Sequence, residues 1–282
     1  MAPDPSRGNS LGQPAGASTD AAGTAAQWLA RAFTPAGTAL EGLGRFMLLT
    51  LDTLRWLVRP PFRVGQLLNA MEFIGVQSLF IIMLTGTFSG MVFALQSVNS
   101  LREYGAEGVV GSVVAISLTR EISPVFSALM VTARAGSAIA AELGNMRVTE
   151  QIDALTTMAV SPVQYLLSPR LLAGVLMFPL LCIVYSTVGM IGAWFVAVKG
   201  LGIDPGIFIA NIEEYMLPSD FWMGEIKAAC FGFLVTAICG EQGFYASGGA
   251  RGVGQATTRA VVQSAVALLI ANYIITSALT PI

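Results

Sequence analysis

The sequence of 282 residues contains no histidine, and only 11% of its residues are charged, whereas soluble domains average roughly 25%. Without histidine, the chain cannot form a histidine-based catalytic triad, a histidine-ligated zinc site or a histidine general base. Its three cysteines lie in separate apolar runs with no CxxC pair, which argues against a disulfide framework or a thiolate metal site. The net charge of −2 and the lack of a basic block argue against a nucleic-acid partner. The sequence therefore predicts no catalytic residue and no metal ligand.

Apolar residues dominate the chain, at 54% of the sequence with a mean hydropathy of +0.69. Three long runs carry no charge at all, and a membrane span needs about 20 such residues. A fourth run is charge-free over residues 228–240. The fifth is apolar but interrupted by Arg120, Glu121 and Arg134. We therefore expect an all-α integral membrane protein with five transmembrane helices, at about 73–101, 108–138, 171–198, 226–247 and 260–280.

The N-terminal part of the chain differs from these spans. Residues 1–25 are rich in Ala, Gly, Pro, Ser and Thr and are expected to form a disordered tail. Residues 26–68 combine arginines and tryptophans with an apolar stripe at helical spacing, which is typical of an amphipathic helix in the membrane interface. The alternative is an amphipathic helix packed on protein. Pro60-Pro61 is expected to end this region, and the membrane domain then covers residues 69–282. The stripe consists of Leu40, Leu43, Met47, Leu51 and Leu54.

Lysine and arginine positions predict the orientation, because cytoplasmic loops carry an excess of them. Six arginines precede the first span, and the segments 139–170 and 248–259 carry two more each. The opposing loops, at about 99–107 and 199–226, are mainly acidic. The N-terminus is therefore expected in the cytoplasm and the C-terminus outside.

Two small-residue patterns predict close helix packing. Gly86 and Gly90 form a GxxxG motif in the first span, which fits either a contact within the chain or a dimer contact. Gly136 belongs to a second small face, in the second span.

Arg120 and Glu121 stand near the middle of the second span, where charges are costly and usually face a bundle interior or a water-filled cavity. Adjacent residues on a helix point about 100° apart, so each needs another partner. Pro124 is expected to bend the helix there. A polar point in a cavity and a structural ion-pair network are both compatible with this pattern.

Residues 142–160 are expected to form a short cytoplasmic helix between spans two and three, with Ser161-Pro162 ending it. Such a helix can insert into a groove of a partner or simply connect the spans. Ser168-Pro169 is then expected to start span three as N-cap and first helical residue. The glycine-rich turn at 247–254 has no following Lys-Ser/Thr and is not a Walker A loop. ATP and Mg²⁺, if used, must therefore bind in another subunit.

Several runs together carry a family resemblance across roughly residues 40–280. They resemble the MlaE/YrbE family of ABC-transporter permeases and occur in the family's order. The runs are LTREISPV (118–125), ARAGSA (133–138), ELGNMRVTEQIDAL (142–155), SPR (168–170) and GVGQATTRAVV (252–262).

The resemblance implies a homodimeric permease of the bacterial inner membrane, with an interfacial helix and five spans. It implies two cytoplasmic ABC ATPases and a hexameric periplasmic MCE-domain protein as partners, and many such assemblies add a STAS-domain protein. Their substrate is phospholipid, moved between the inner membrane and the periplasmic carrier in maintenance of outer-membrane lipid asymmetry.

The resemblance also implies site residues. The family's coupling helix corresponds to residues 142–160, so Arg147, Glu150, Gln151 and Asp153 are candidates for ATPase contact. An acidic family position in the last span is Asn272 here, which leaves the pairing of Lys227 open. The lipid cavity at the dimer interface matches Phe93, Leu101, Tyr104, Arg120, Glu121, Lys227 and Asn272.

Two other classes of function compete with this interpretation. A stand-alone secondary transporter or channel would use Arg120, Glu121, Arg134 and Glu241 as an ion relay. Such transporters often show paired repeats, and none is visible in this sequence. A lipid-modifying membrane enzyme lacks the side chains that it would need.

Overall fold

Five helical segments long and apolar enough to cross a membrane make up the computed structural model, which describes residue 42, residues 44–57, residue 59 and residues 63–279. No strand occurs among these residues. The predicted all-α, five-span membrane protein is thereby confirmed. The segments are Val64–Arg102, Glu107–Val148, Val163–Gly200, Pro218–Phe244 and Gly249–Leu279.

Eleven α-helices are labelled within the described residues. The chain divides into two units, residues 1–47 and 48–282, and of the first only residues 42 and 44–47 are described, all helical. The labels are α1 for residues 44–57, α2 Val64–Ile74, α3 Leu79–Arg102, α4 Val110–Ser117, α5 Ser123–Val131, α6 Ser137–Val148, α7 Gln151–Thr157, α8 Ser168–Trp194, α9 Pro205–Tyr215, α10 Pro218–Phe244 and α11 Gly249–Leu279.

Within the second unit, residues 48–57 of α1 have one face on the bundle and one face away from it. Leu49 and Thr53 are buried, and the Thr53 carbonyl accepts a hydrogen bond from Ser168 Oγ at 3.2 Å. Leu51 and Leu54, from the predicted apolar stripe, are exposed. An exposed apolar face is what a helix in the lipid interface presents. The predicted tail, and Leu40 and Leu43 of the stripe, lie outside the described residues.

Proline shapes spans two and three through π-helical turns. The segment Leu118–Ile122 is π-helical and is followed by Pro124, and Val163–Leu167 is π-helical and is followed by Pro169. A wider turn relieves the clash between the proline ring and the carbonyl four residues earlier. The predicted N-cap role of Ser168 is therefore wrong, because the helix is already under way at Val163.

The loop predicted at 199–226 is largely helical. Asp204 Oδ1 accepts the Ile207 N–H at 3.0 Å and begins α9 at Pro205. The buried Phe208 of α9 packs in an apolar cluster with residues of α3, α4 and α8. Helix α10 begins at Pro218, so Asp220 and Glu225 are buried helical residues and not loop residues. The loop whose acidic residues supported the predicted orientation therefore contains two fewer of them than expected.

The GxxxG glycines of α3 face α8 of the same chain. A Cβ on Gly90 would collide with the carbonyl of Gly189, and a Cβ on Gly86 would lie 2.9 Å from Val188 Cγ2. Gly136 likewise faces Cys239 of α10. Of the two alternatives for the motif, the structure shows the contact within the chain.

The predicted helix at 142–160 is wrong as a single element. Span two continues through α6 to Val148, and Glu150 then takes a left-handed conformation with φ 60°. A left-handed residue ends one helical direction, and α7 starts afterwards at Gln151. Ala159, near the end of the predicted helix, is exposed and has φ 58°.

Candidate functional site

A polar cluster connects spans two, four and five in the interior of the bundle. Glu121 Oε1 accepts a hydrogen bond from Lys227 Nζ at 2.7 Å. Its other oxygen, Oε2, accepts from Asn272 Nδ2 at 3.3 Å, and Thr276 Oγ1 lies 3.4 Å from Oε1. The Glu121 carboxylate therefore accepts hydrogen bonds from two other helices, α10 and α11.

Pro124 leaves a backbone carbonyl without its usual helical donor, and Lys227 donates to that carbonyl. Because proline has no N–H, it cannot donate to the Arg120 carbonyl four residues before it. Lys227 Nζ donates to this carbonyl at 3.0 Å. Gly224 lies one turn before Lys227, and a Cβ there would collide with the Thr119 carbonyl. The glycine thus lets α10 approach the π-helical turn closely enough for the ammonium to reach both acceptors.

Burial differs sharply across this ion pair. The Lys227 side chain is 0% exposed, whereas that of Glu121 is 41% exposed. A buried ammonium is tolerated only when acceptors surround it, and here two acceptors do so. Asn272 contributes Nδ2 to Glu121, while its Oδ1 is buried without a hydrogen-bond partner. The pairing that the sequence left open is therefore between Lys227 and Glu121.

Arg120 points to a different partner. Its Nη1 lies 3.6 Å from Asp220 Oδ1, beyond ordinary hydrogen-bond distance, and its side chain is 28% exposed. The other Asp220 oxygen accepts the Leu217 N–H at 3.0 Å, at the start of α10. The guanidinium is thus loosely held and partly accessible, whereas Lys227 is enclosed.

The apolar candidates lie apart from this cluster in the single chain. Phe93 and Leu101 pack against the apolar cluster that contains Phe208. Tyr104 follows the end of α3 and is 81% exposed. Of the seven predicted cavity residues, the structure brings together the four polar ones, Arg120, Glu121, Lys227 and Asn272.

Arg134, also in span two, contacts groups at the break between α2 and α3. It donates to the Phe73 carbonyl and to Gln77 Oε1, and its guanidinium lies 4.9 Å from the Phe73 ring centroid. Phe73 and Gln77 flank the break between α2 and α3, where carbonyls lack helical donors. Arg134 therefore stabilises this break.

Comparisons with known proteins agree with this architecture. A family model described as Permease MlaE matches residues 67–278. The chain belongs to the MlaE permease family. It is 41% identical to the intermembrane phospholipid transport system permease protein MlaE of Haemophilus influenzae, over 75% of this chain and 81% of that protein.

Further relatives come from other lineages. A probable ABC transporter permease protein of Rickettsia bellii is 39% identical, over 84% of this chain and 91% of the relative. The chloroplastic protein TRIGALACTOSYLDIACYLGLYCEROL 1 of Arabidopsis thaliana is 38% identical, over 74% of this chain and 60% of the plant protein. The chain is thus a permease subunit of this family.

The coupling candidates of this MlaE-family chain form a tight polar turn. Arg147 Nη1 pairs with Asp153 Oδ1 at 2.6 Å across the turn, and Gln151 Nε2 donates to Thr149 Oγ1 at 3.1 Å. Glu150 lies between them and is exposed. The turn between α6 and α7 thus offers charged and amide groups to solvent.

Sequence reasoning missed Asp220 and Thr276 as members of the site. Thr276 follows Asn272 by four residues and so shares its helix face, a signal that was available. Asp220 at the third position of α10 also had a signal, because Pro218 and an acidic residue are typical of a first helical turn. Neither signal indicated which partner each residue meets.

Proposed function

We propose that this permease is the membrane subunit of an ABC transporter that moves phospholipid between the inner membrane and a periplasmic MCE-domain carrier, and so maintains the lipid asymmetry of the outer membrane. The names of the Haemophilus and Rickettsia relatives support this assignment. The observation that carries it is the polar cluster: a partly accessible arginine and carboxylate held within a mainly apolar bundle.

The cluster suggests separate roles for its two cations. Arg120 is partly accessible and loosely paired, which suits it to attract a lipid phosphate during passage. Lys227 is enclosed and paired, so its role is to hold Glu121 and the π-helical turn in place. Glu121 keeps an accessible carboxylate that repels or orients the phosphate.

Apolar walls would take the acyl chains. Tyr104 and the neighbouring Phe93 and Leu101 are proposed to line the cavity once a second copy of the chain completes it. Burying one CH₂ contributes about 0.8 kcal/mol, so part of two acyl chains already gives high affinity. Release therefore requires work.

That work is proposed to come from a partner ATPase. The glycine-rich turn at 247–254 lacks the Walker A pattern. We assign the turn with Arg147, Glu150, Gln151 and Asp153 as the ATPase contact. The proposed assembly is a homodimer with cytoplasmic ATPases and an MCE protein, with the N-terminus of the chain in the cytoplasm.

The ion-relay alternative is disfavoured by the hydrogen bonds of its members. Arg134 donates a hydrogen bond to a carbonyl at the break between α2 and α3, and Glu121 accepts one from Lys227. Glu241 accepts from Gln242 Nε2 at 2.6 Å. These groups are fixed by structural contacts, whereas a relay needs groups that exchange partners.

Lipid transfer from vesicles by the reconstituted complex tests the proposal. Arg120→Gln should lower ATP-driven transfer of phospholipid at least about tenfold, since a charged hydrogen bond contributes roughly 1.5–3 kcal/mol. Arg251→Gln, the same change at an exposed position of α11, is the matched control and should leave transfer unchanged. Wild-type transfer by a normally assembled Arg120→Gln complex would contradict the role of Arg120, and transfer by the chain without an ATPase would contradict the proposed function.

A further inference from the structure

A second polar cavity lies at the end of the bundle that carries α7, away from the Glu121 cluster. Its volume is about 350 Å³, within the range of about 300–1,000 Å³ of small-molecule sites. Helices α2, α6 and α8 and the π-helical turn before α8 line it. Its lining is mixed: Gln66, Glu142 and Arg170 are polar, while Phe73, Ile139 and Leu166 are apolar.

Two buried atoms in this cavity lack hydrogen-bond partners. Arg170 Nη2 pairs with Glu142 Oε1 at 2.7 Å, but Arg170 Nη1 is buried and unpartnered. Gln66 Oε1 is likewise buried and unpartnered. An unpaired buried polar atom costs about 1–3 kcal/mol, so an occupant that supplied an acceptor to Arg170 and a donor to Gln66 would relieve this cost.

The charges of Arg170 and Glu142 determine which kind of occupant the cavity can bind. Glu142 already balances Arg170, so the lining is neutral and does not favour a bare anion. A neutral group that carries both charges fits it, with anionic oxygens on Arg170 Nη1 and a cationic N–H donor on Gln66 Oε1 and the Glu142 carboxylate, whose side chain is 52% exposed. A quaternary ammonium has no N–H and cannot satisfy Gln66.

We propose that this cavity binds the phosphoethanolamine headgroup of a bilayer phospholipid. The apolar part of the lining, with Phe73 and Ile139, favours an occupant that brings acyl chains over a free phosphate ester. The site is separate from the proposed transport cluster and does not depend on transport.

Native mass spectrometry of the full-length, delipidated protein can test this site. The probes are phosphatidylethanolamine, phosphatidylcholine and phosphatidylglycerol with identical chains, together with water-soluble glycerophosphoethanolamine and inorganic phosphate. We expect one phosphatidylethanolamine per chain to be retained about tenfold more strongly than phosphatidylcholine. Equal retention of the three lipids would overturn the proposal, and equally tight binding of either soluble probe would overturn the lipid source.

Gln66→Leu is the decisive variant, because it removes an unpaired buried acceptor with little change in shape. It should fold at least as well as the wild type and should lose the preference for phosphatidylethanolamine over phosphatidylcholine. Gln96→Leu, the same change at an exposed position of α3, should keep the preference. Arg170→Lys, which retains the charge but loses the guanidinium fork, should weaken retention of all three phospholipids. An unchanged preference in Gln66→Leu would refute the site, even if transport by that variant were normal.

Discussion

Two ion pairs in this bundle combine a buried cation with a half-exposed carboxylate, yet they differ in how completely they are satisfied. In the Lys227–Glu121 pair, the ammonium donates both to the carboxylate and to the Arg120 carbonyl. In the Arg170–Glu142 pair, one guanidinium nitrogen is paired and the other is buried without a partner. The Lys227 pair therefore joins spans two and four, and Asn272 adds span five through Glu121, whereas the Arg170 pair leaves a hydrogen-bonding position for an occupant.

The difference follows from local backbone chemistry. Pro124 removes a backbone donor, and the freed carbonyl of Arg120 becomes an acceptor for Lys227. Pro169 removes a donor in the same way before Arg170, but no buried cation reaches across at that point among the described contacts. The neighbouring Ser168 Oγ lies within hydrogen-bond distance of the carbonyls of Thr53 and Val163. The same residue type thus supports a closed cluster in span two and an open cavity in span three.

The largest effect is expected for Glu121→Ala, which leaves the enclosed Lys227 with a single carbonyl acceptor. Breaking a buried pair in this way costs up to about 3–5 kcal/mol, and the exposure of Glu121 places the expected loss towards the lower figure. Thermal unfolding in detergent measures it. The double variant Glu121→Gln/Lys227→Met removes both charges and should recover most of the lost stability. A double variant as unstable as the single one would show that the pair is not what stabilises this region.

A smaller loss, about 1–3 kcal/mol, is expected for Glu142→Ala, because Arg170 remains 17% exposed and reaches water more easily than Lys227 does. Glu214→Ala, at an exposed position of α9, serves as the control and should leave the unfolding temperature unchanged. A loss for Glu142→Ala as large as that for Glu121→Ala would remove the distinction between the open and the closed pair.

The smallest effect on stability, below about 1 kcal/mol, is expected for Arg147→Ala, because the side chains of Arg147 and Asp153 are 38% and 59% exposed. Its effect on coupling should be larger than its effect on folding. ATPase stimulation by the assembled complex measures the first, and thermal unfolding measures the second. If neither changes, the turn between α6 and α7 does not contact the ATPase through this residue.

The sequence was sufficient for the five spans, because long apolar runs have few stable alternatives in a membrane. It was also sufficient to mark Arg120 and Glu121, since charges in such runs are rare. It failed where the backbone departs from a regular α-helix, through a left-handed residue or a π-helical turn. The helix predicted at 142–160 breaks at Glu150, and the start predicted at Ser168 lies inside a continuing helix. Spacing arguments assume a uniform α-helix and so do not register π-helical turns.

Hydropathy and the rarity of charge determined by themselves that this chain is a membrane bundle with a polar point in its second span. Only the tertiary structure decided which groups meet there. The partners of Glu121 come from helices more than 100 residues further along the chain. Their approach depends on a glycine beside a carbonyl and on a proline that withholds a donor. Such contacts are set by the three-dimensional packing of helices, which local sequence periodicity does not encode.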